Sequence, residues 1–298
     1  MSAEDSLVLN RKMLPPPSLQ LLTHPELDPD YVHFENAVEV PFDGHATTFS
    51  PQNAWWLADC ALLSYWPEAS ARLRFHAGGG FQDSRLIDLD GTQCYVAWKT
   101  DAVVVAVRGT QPTERVDILH DVDFPKVAWD RPGEEVHEGF REALDVAWPD
   151  IFAEIERHPD RSVWFTGHSL GASVATFAAD RFLRVTGALP WLYIIGSPHV
   201  GDAAFVRGVN ARFPGRAFRY VNHDDVVTHL PPGEFGFGEI DVAFHFDGDG
   251  HIDKADTSGG LRDVLEVAAA DLSELEFLID HTPRRYATLV WNALVESV

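Results

Sequence analysis

Hydrophobic positions along the chain alternate between short, solidly apolar runs and longer stretches of helical period. The run Ala102-Val103-Val104-Val105-Ala106-Val107 is apolar throughout, the pattern of a strand buried on both faces. Further strands are predicted over 84–89, 93–99, 161–166, 191–196 and 217–221, with one more near 240–246 in a turn-rich stretch from 228 to 260. Helical spacing predicts helices over 138–157, 169–185 and 202–212, and a helical end over about 260–279 and 283–296. An earlier helix, about 52–66, has a heavy apolar face made by Trp55, Trp56, Cys60, Leu62, Leu63 and Tyr65. Residues 1–50 lack a period and are rich in proline, with Pro15-Pro16-Pro17 stiff and extended; they read as an arm laid over the body. Strand and helix alternate through the middle with short connections. That order predicts right-handed crossovers and an α/β fold, with a mostly parallel central sheet covered by helices on both faces. No repeat, low-complexity tract or linker interrupts residues 51–298, which read as one domain.

Composition narrows the partners. The chain has 298 residues, 45% of them hydrophobic, and 23 basic against 46 acidic side chains give a formal charge of −23. No basic stripe is available to displace counterions from phosphates, so nucleic acid is excluded as a partner, and charge alone does not favour anionic membranes. Two cysteines, Cys60 and Cys94, form no disulfide framework or metal pattern and are expected as free, buried thiols. No stretch approaches the roughly 18 apolar residues needed to cross a bilayer. The first residues, Met-Ser-Ala-Glu-Asp-Ser, show no basic and then apolar leader, and the expectation from them is a cytoplasmic protein, with leaderless secretion as the alternative.

The candidate chemistry begins at Gly167-His168-Ser169-Leu170-Gly171, between the strand at 161–166 and a helix opened by small residues. This is the nucleophile-elbow pattern, in which a sharp strand-to-helix turn holds a serine hydroxyl clear of the sheet. A Cβ at 167 or 171 would collide with neighbouring backbone, and Ser169 must adopt a strained conformation. A serine nucleophile needs a base, and the base an orienting acid, which in such folds follow it in the order Ser, acid, His. The acid belongs on a loop after a core strand, where Asp224 and Asp225 are both available after Val221-Asn222-His223. Local chemistry does not separate them. For the base, His229 is too near Asp225 in sequence to come from a separate loop, His245 lies within a strand, and His251 is in the exposed turn Asp247–Asp253. His281, between two helical segments near the C-terminus, can reach the serine from the side and is preferred. The backbone N–H of Leu170, the residue after the nucleophile, is a candidate oxyanion donor.

From about Arg108 to Tyr286 the chain resembles the class 3 lipases, a family of the α/β-hydrolase fold that includes the fungal triacylglycerol lipases. The resemblance rests on Arg108-Gly109-Thr110, Val136-His137-Glu138-Gly139-Phe140, the 167–171 elbow, Gly196-Ser197-Pro198-His199-Val200-Gly201-Asp202, the stretch Asn222 to Pro232, and Asp280-His281 with Tyr286 five residues on. It implies Asp225 as the acid, Thr110 as a second oxyanion donor, and residues 112–124 as a lid helix. On that helix Ile118, Leu119 and Val122 share one face, while Glu114, Asp117 and Asp121 lie on the other. So short and acidic a lid predicts modest activation at lipid interfaces and a preference for short or medium acyl chains. The implied reaction is hydrolysis of acylglycerols or related acyl esters through an acyl-enzyme, with no cofactor and no metal, and a transient lipid contact at most. Phospholipase A1, feruloyl-type esterase and a non-catalytic binding module are the alternatives. Ala172 stands where many relatives have glycine. Two cysteines are too few for the disulfide-bonded fungal pattern, which points to bacterial members as the better comparison.

Overall fold

The computed structural model describes residues 9–15, 18, 24–28, 30–109, 124–240, 243–253 and 279–298. In chain order these form α1 (Pro51–Leu63), α2 (Glu68–Leu73), β1 (Asp83–Leu89), β2 (Thr92–Trp98), β3 (Ala102–Val107), β4 (Lys126–Ala128), β5 (Glu135–His137) and α3 (Glu138–Glu156). There follow β6 (Ser162–His168), α4 (Leu170–Thr186), β7 (Trp191–Ile195), α5 (Ala203–Arg212), β8 (Ala217–Asn222), β9 (Ala243–Phe246), β10 (Ile252–Asp253) and α6 (Pro283–Ser297).

Eight strands make one sheet in the order β1-β2-β3-β6-β7-β8-β9-β10. From β3 to β9 neighbours are parallel. At the ends they are antiparallel, β1 with β2, β2 with β3, and β9 with β10. The two-residue turn Asp90-Gly91 explains the first antiparallel pair, since it is too short for a crossover. All six residues of β3 are buried, and their alternation sorts them between two cores. Ala102, Val104 and Ala106 join Trp164, Trp191, Tyr193 and Ile195 in a core with α1 and α6. Val103, Val105 and Val107 join Phe165, Leu192 and Ile194 in a core with α3, α4 and α5.

The first core is aromatic. Trp164 and Trp191 stack at 4.9 Å, and Trp55 meets Trp291 of α6 edge-on at the same distance. The N-terminal segment contributes to it directly. Phe34 is 2% exposed and stacks on Trp56, whose indole N–H donates to the Val40 carbonyl at 2.7 Å. Buried Asp59 of α1 accepts from the Tyr31 hydroxyl and from the Phe34 backbone N–H. Nearer the N-terminus, the Asn10 carbonyl accepts from Trp291 Nε1 at 2.8 Å, and the Lys12 N–H donates to Asn292 Oδ1 at 2.7 Å.

The small β4–β5 hairpin was not legible as strands, each being three residues long. Its connection is held by charge. Asp180 of α4, fully buried, accepts from Trp129 Nε1 at 2.8 Å and from Arg212 Nε at 2.6 Å. The same Arg212 guanidinium also reaches Glu134 at 2.6 Å, so α4, α5 and the hairpin share one network. Cys60 and Cys94 are buried and unpaired. The helix expected over about 260–279 lies almost wholly outside the described residues. Among the described residues, no helix is long and apolar enough to cross a membrane.

Candidate active site

β6 delivers the chain to Ser169, and α4 leaves from Leu170. Ser169 has φ +61° and ψ −135°, a left-handed conformation that a side chain rarely adopts. Its N–H donates to the Ile195 carbonyl (3.2 Å), and its carbonyl accepts from Ala172 (2.8 Å), so flanking backbone holds the turn. The two elbow glycines are sterically required. A Cβ on Gly167 would overlap the Gly171 carbonyl, and one on Gly171 the Val107 carbonyl of β3.

Two other loops converge on this serine. His281 Nε2 lies 2.8 Å from Ser169 Oγ, and His281 Nδ1 lies 2.8 Å from Asp225 Oδ2. Neither His281 nor Asp225 is exposed to solvent. A carboxylate can only accept, so Nδ1 carries the ring proton and Nε2 is left to accept from the serine hydroxyl. Asp225 is fixed by two further donors, the Val227 N–H on Oδ1 (3.0 Å) and the Tyr286 hydroxyl on Oδ2 (2.6 Å). Burial first, and then the charge of Asp225, push the Tyr286 hydroxyl well above its ordinary pKa, so it remains a donor.

The neighbouring candidates go elsewhere. Asp224 is 80% exposed in its side chain and lies 3.2 Å from His223. His245 Nε2 bonds the His223 carbonyl (3.1 Å), and exposed His251 pairs with Glu296. His229 ends the short helical turn that Asp225 caps. Ser169, Asp225, His281 and Leu170 are thus brought together, whereas Thr110, Ile118, Leu119 and Val122 lie outside the described residues. Gly109, next to Thr110, presses on the elbow: a Cβ there would stand 3.0 Å from Ser169 Cβ. Tyr65 is the residue missed. It looked like one more member of an apolar helix face, yet its hydroxyl lies 2.8 Å from His168 Nδ1 beneath the serine.

Beside Gly109 and Leu170 opens a cleft of about 610 Å³, with Arg108, Gln93, Asp90 and Glu142 among its walls. That size holds a small organic ligand. Among the described residues, no group of three His, Cys, Asp or Glu side chains is arranged to hold a metal ion. The Asp247 carboxylate instead accepts from the N–H groups of Asp249 and His251 in its own turn.

Residues 104–235 match the class 3 lipase family. A lipase of Rhizomucor miehei is 37% identical over 125 residues, covering 39% of this chain and 33% of that protein. The secreted mono- and diacylglycerol lipase 1 of Fusarium solani is 35% identical over 157 residues, 51% of this chain and 46% of that one. The chain thus spans between a third and a half of the length of these relatives. Among solved structures, a mono- and diacylglycerol lipase of Aspergillus oryzae superposes with a TM-score of 0.56 at 22% identity, over 67% of this chain and 81% of that one. A relative named as secreted overturns the cytoplasmic location expected from the first residues; that expectation rested on a missing signal. Over residues 104–235 this chain thus matches the class 3 lipase family, and its sheet and flanking helices have the α/β-hydrolase fold.

Proposed function

We propose that the protein is a serine carboxylic-ester hydrolase acting on acylglycerols outside the cell. The observation that carries this reading is the continuous hydrogen-bonded line from Ser169 Oγ through His281 to Asp225, at 2.8 Å in both links. In this reading His281 Nε2 takes the serine proton as Oγ attacks the ester carbonyl, and returns it to the departing alcohol. Asp225 keeps the imidazole in the required tautomer and stabilises the imidazolium. Water, activated by the same histidine, then releases the acid from the acyl-enzyme. Negative charge on the tetrahedral oxygen is met by the N–H of Leu170, at the first position of α4, and by Thr110. Each such donor contributes on the order of 3 kcal/mol to the transition state.

Partial glycerides are the preferred substrates. Relatives named as mono- and diacylglycerol lipases support this choice. Residues 51–298 act as one catalytic domain with a lid at about 112–124, and residues 1–50 form its arm. Hydrolysis of monoolein, diolein, triolein, a phospholipid and a p-nitrophenyl ester series tests this reading, with Ser169→Ala as control. Mono- and diolein are expected to be cleaved fastest, with a short or medium optimum among the p-nitrophenyl esters. Activity that survives in Ser169→Ala would overturn it.

A further inference from the structure

We propose that Tyr65 and His168 are positioning residues that hold the base, His281, through its own backbone carbonyl. The inference rests on the reading of Ser169 and His281 as nucleophile and base. His168 is the last residue of β6 and has no exposed surface. Its Nε2 lies 2.8 Å from the carbonyl oxygen of His281. A carbonyl cannot donate, so Nε2 carries a proton. In a neutral ring Nδ1 is then the acceptor, and the Tyr65 hydroxyl, 2.8 Å away, is its donor. The bonds therefore run one way, from Tyr65 O–H to His168 and from His168 N–H to the base loop.

Geometry gives this line a purpose. The His168 and His281 rings lie 4.6 Å apart at 35°, so the His168 ring covers one face of the imidazole that becomes charged in the reaction. A second positive charge at that distance would oppose imidazolium formation, and a neutral His168 adds none. The remaining ties to the loop act on other atoms. Asn222 Nδ2 donates to the Asp280 carbonyl (2.8 Å), and Asp225 and Ser169 hold the two ring nitrogens of His281. The His168 bond falls on the His281 peptide itself. Tyr65 carries the line outward to the segment after α1, and its ring packs under Arg108 at 5.4 Å. A Cβ on Gly109 would strike the Tyr65 hydroxyl, so the same tyrosine also touches the end of β3 that leads to Thr110. Base and oxyanion loop thereby share one support.

The test compares His168→Leu, His168→Gln and Tyr65→Phe in the full chain. Two readouts are used: steady-state ester hydrolysis and the low-field proton resonance of the His281–Asp225 bond, assigned by its loss in Asp225→Asn. His168→Leu is expected to lower kcat about fiftyfold with KM within about twofold, because a misplaced base harms the transition state and not substrate binding. Tyr65→Phe should lower kcat about tenfold. His168→Gln, whose amide N–H reaches the same carbonyl, should recover kcat to within about fivefold of wild type. The resonance should move or broaden in the leucine variant and return in the glutamine variant. Wild-type kcat and an unmoved resonance in His168→Leu would overturn the proposal. If that variant does not fold, the same result in Tyr65→Phe overturns it. A protein that cleaves no ester, yet whose resonance follows this pattern, would remove the hydrolase reading and keep the positioning role.

Discussion

Tyr286 shows how much of a catalytic geometry is invisible at the level of a single residue. Its hydroxyl donates to Asp225 Oδ2 at 2.6 Å and accepts from the Asn222 N–H at 3.0 Å, so it ties α6 to the end of β8. Tyr286→Phe is expected to lower kcat about tenfold while urea midpoints shift only slightly, read by steady-state kinetics beside equilibrium unfolding. Asp225→Asn should cost roughly ten-thousandfold, because an amide in that place stabilises the wrong tautomer. Asp224→Asn should stay within about twofold, since that side chain is exposed. Local chemistry in the sequence presents these two aspartates as equals, and it is the family resemblance that prefers Asp225. What separates them is the turn after Asn222, where His223 takes φ +42° and Asp225 caps the helical turn Val226–His229. Ser169 was legible because its flanking glycines are a steric demand written into adjacent positions. Gly171→Ala should destabilise by about 3 kcal/mol, since the new methyl overlaps β3 backbone that has no room to yield.

Among elements, the ones read from the pattern are those with solid apolar runs, such as β3 and β7, or long amphipathic ones, such as α3 and α4. Those missed are short. β4 and β5 have three residues each, and no period can be read from three positions. Direction was also hidden: the strands before 102 looked like their neighbours, but β1 and β2 run antiparallel because only Asp90-Gly91 joins them. The β4–β5 connection depends on Asp180. Removing that carboxylate leaves Arg212 and Arg131 short of a counter-charge in a buried setting. Asp180→Ala should cost on the order of 3 kcal/mol in urea unfolding, whereas Asp145→Ala, on a half-exposed partner of Arg181, should cost under about 1 kcal/mol.

At the scale of the whole molecule, two buried groups under the N-terminal segment give opposite responses to pH. Burial first, and then Arg74 and Lys12, lower His33 from 6.5 to about 3, and neither of its ring nitrogens has a hydrogen-bond partner among the described residues. A lowered pKa means stability that is present above 6.5 and is lost as pH falls towards 3. Burial raises Asp59 from 3.8 to about 6, against the smaller pull of Lys12. That contribution is fully present below 3.8 and is lost as pH rises through 6. The two slopes overlap between about pH 4 and 6 and offset each other there. Asp59→Asn should leave the histidine slope exposed, so acidification from pH 7 to 4 destabilises more than in wild type, by roughly 3 kcal/mol in chemical unfolding. His33→Phe should invert the trend.

Phe34 against Trp56, and Tyr31 and Phe34 on Asp59, carry a practical message for anyone trimming the chain to a minimal enzyme. A cut at residue 50 would strip the wall from an indole-lined interior and leave a carboxylate facing nothing. A cut just before Tyr31 would still lose the bonds that Asn10 and Lys12 make to α6 and the pairing of Asp28 with Arg284.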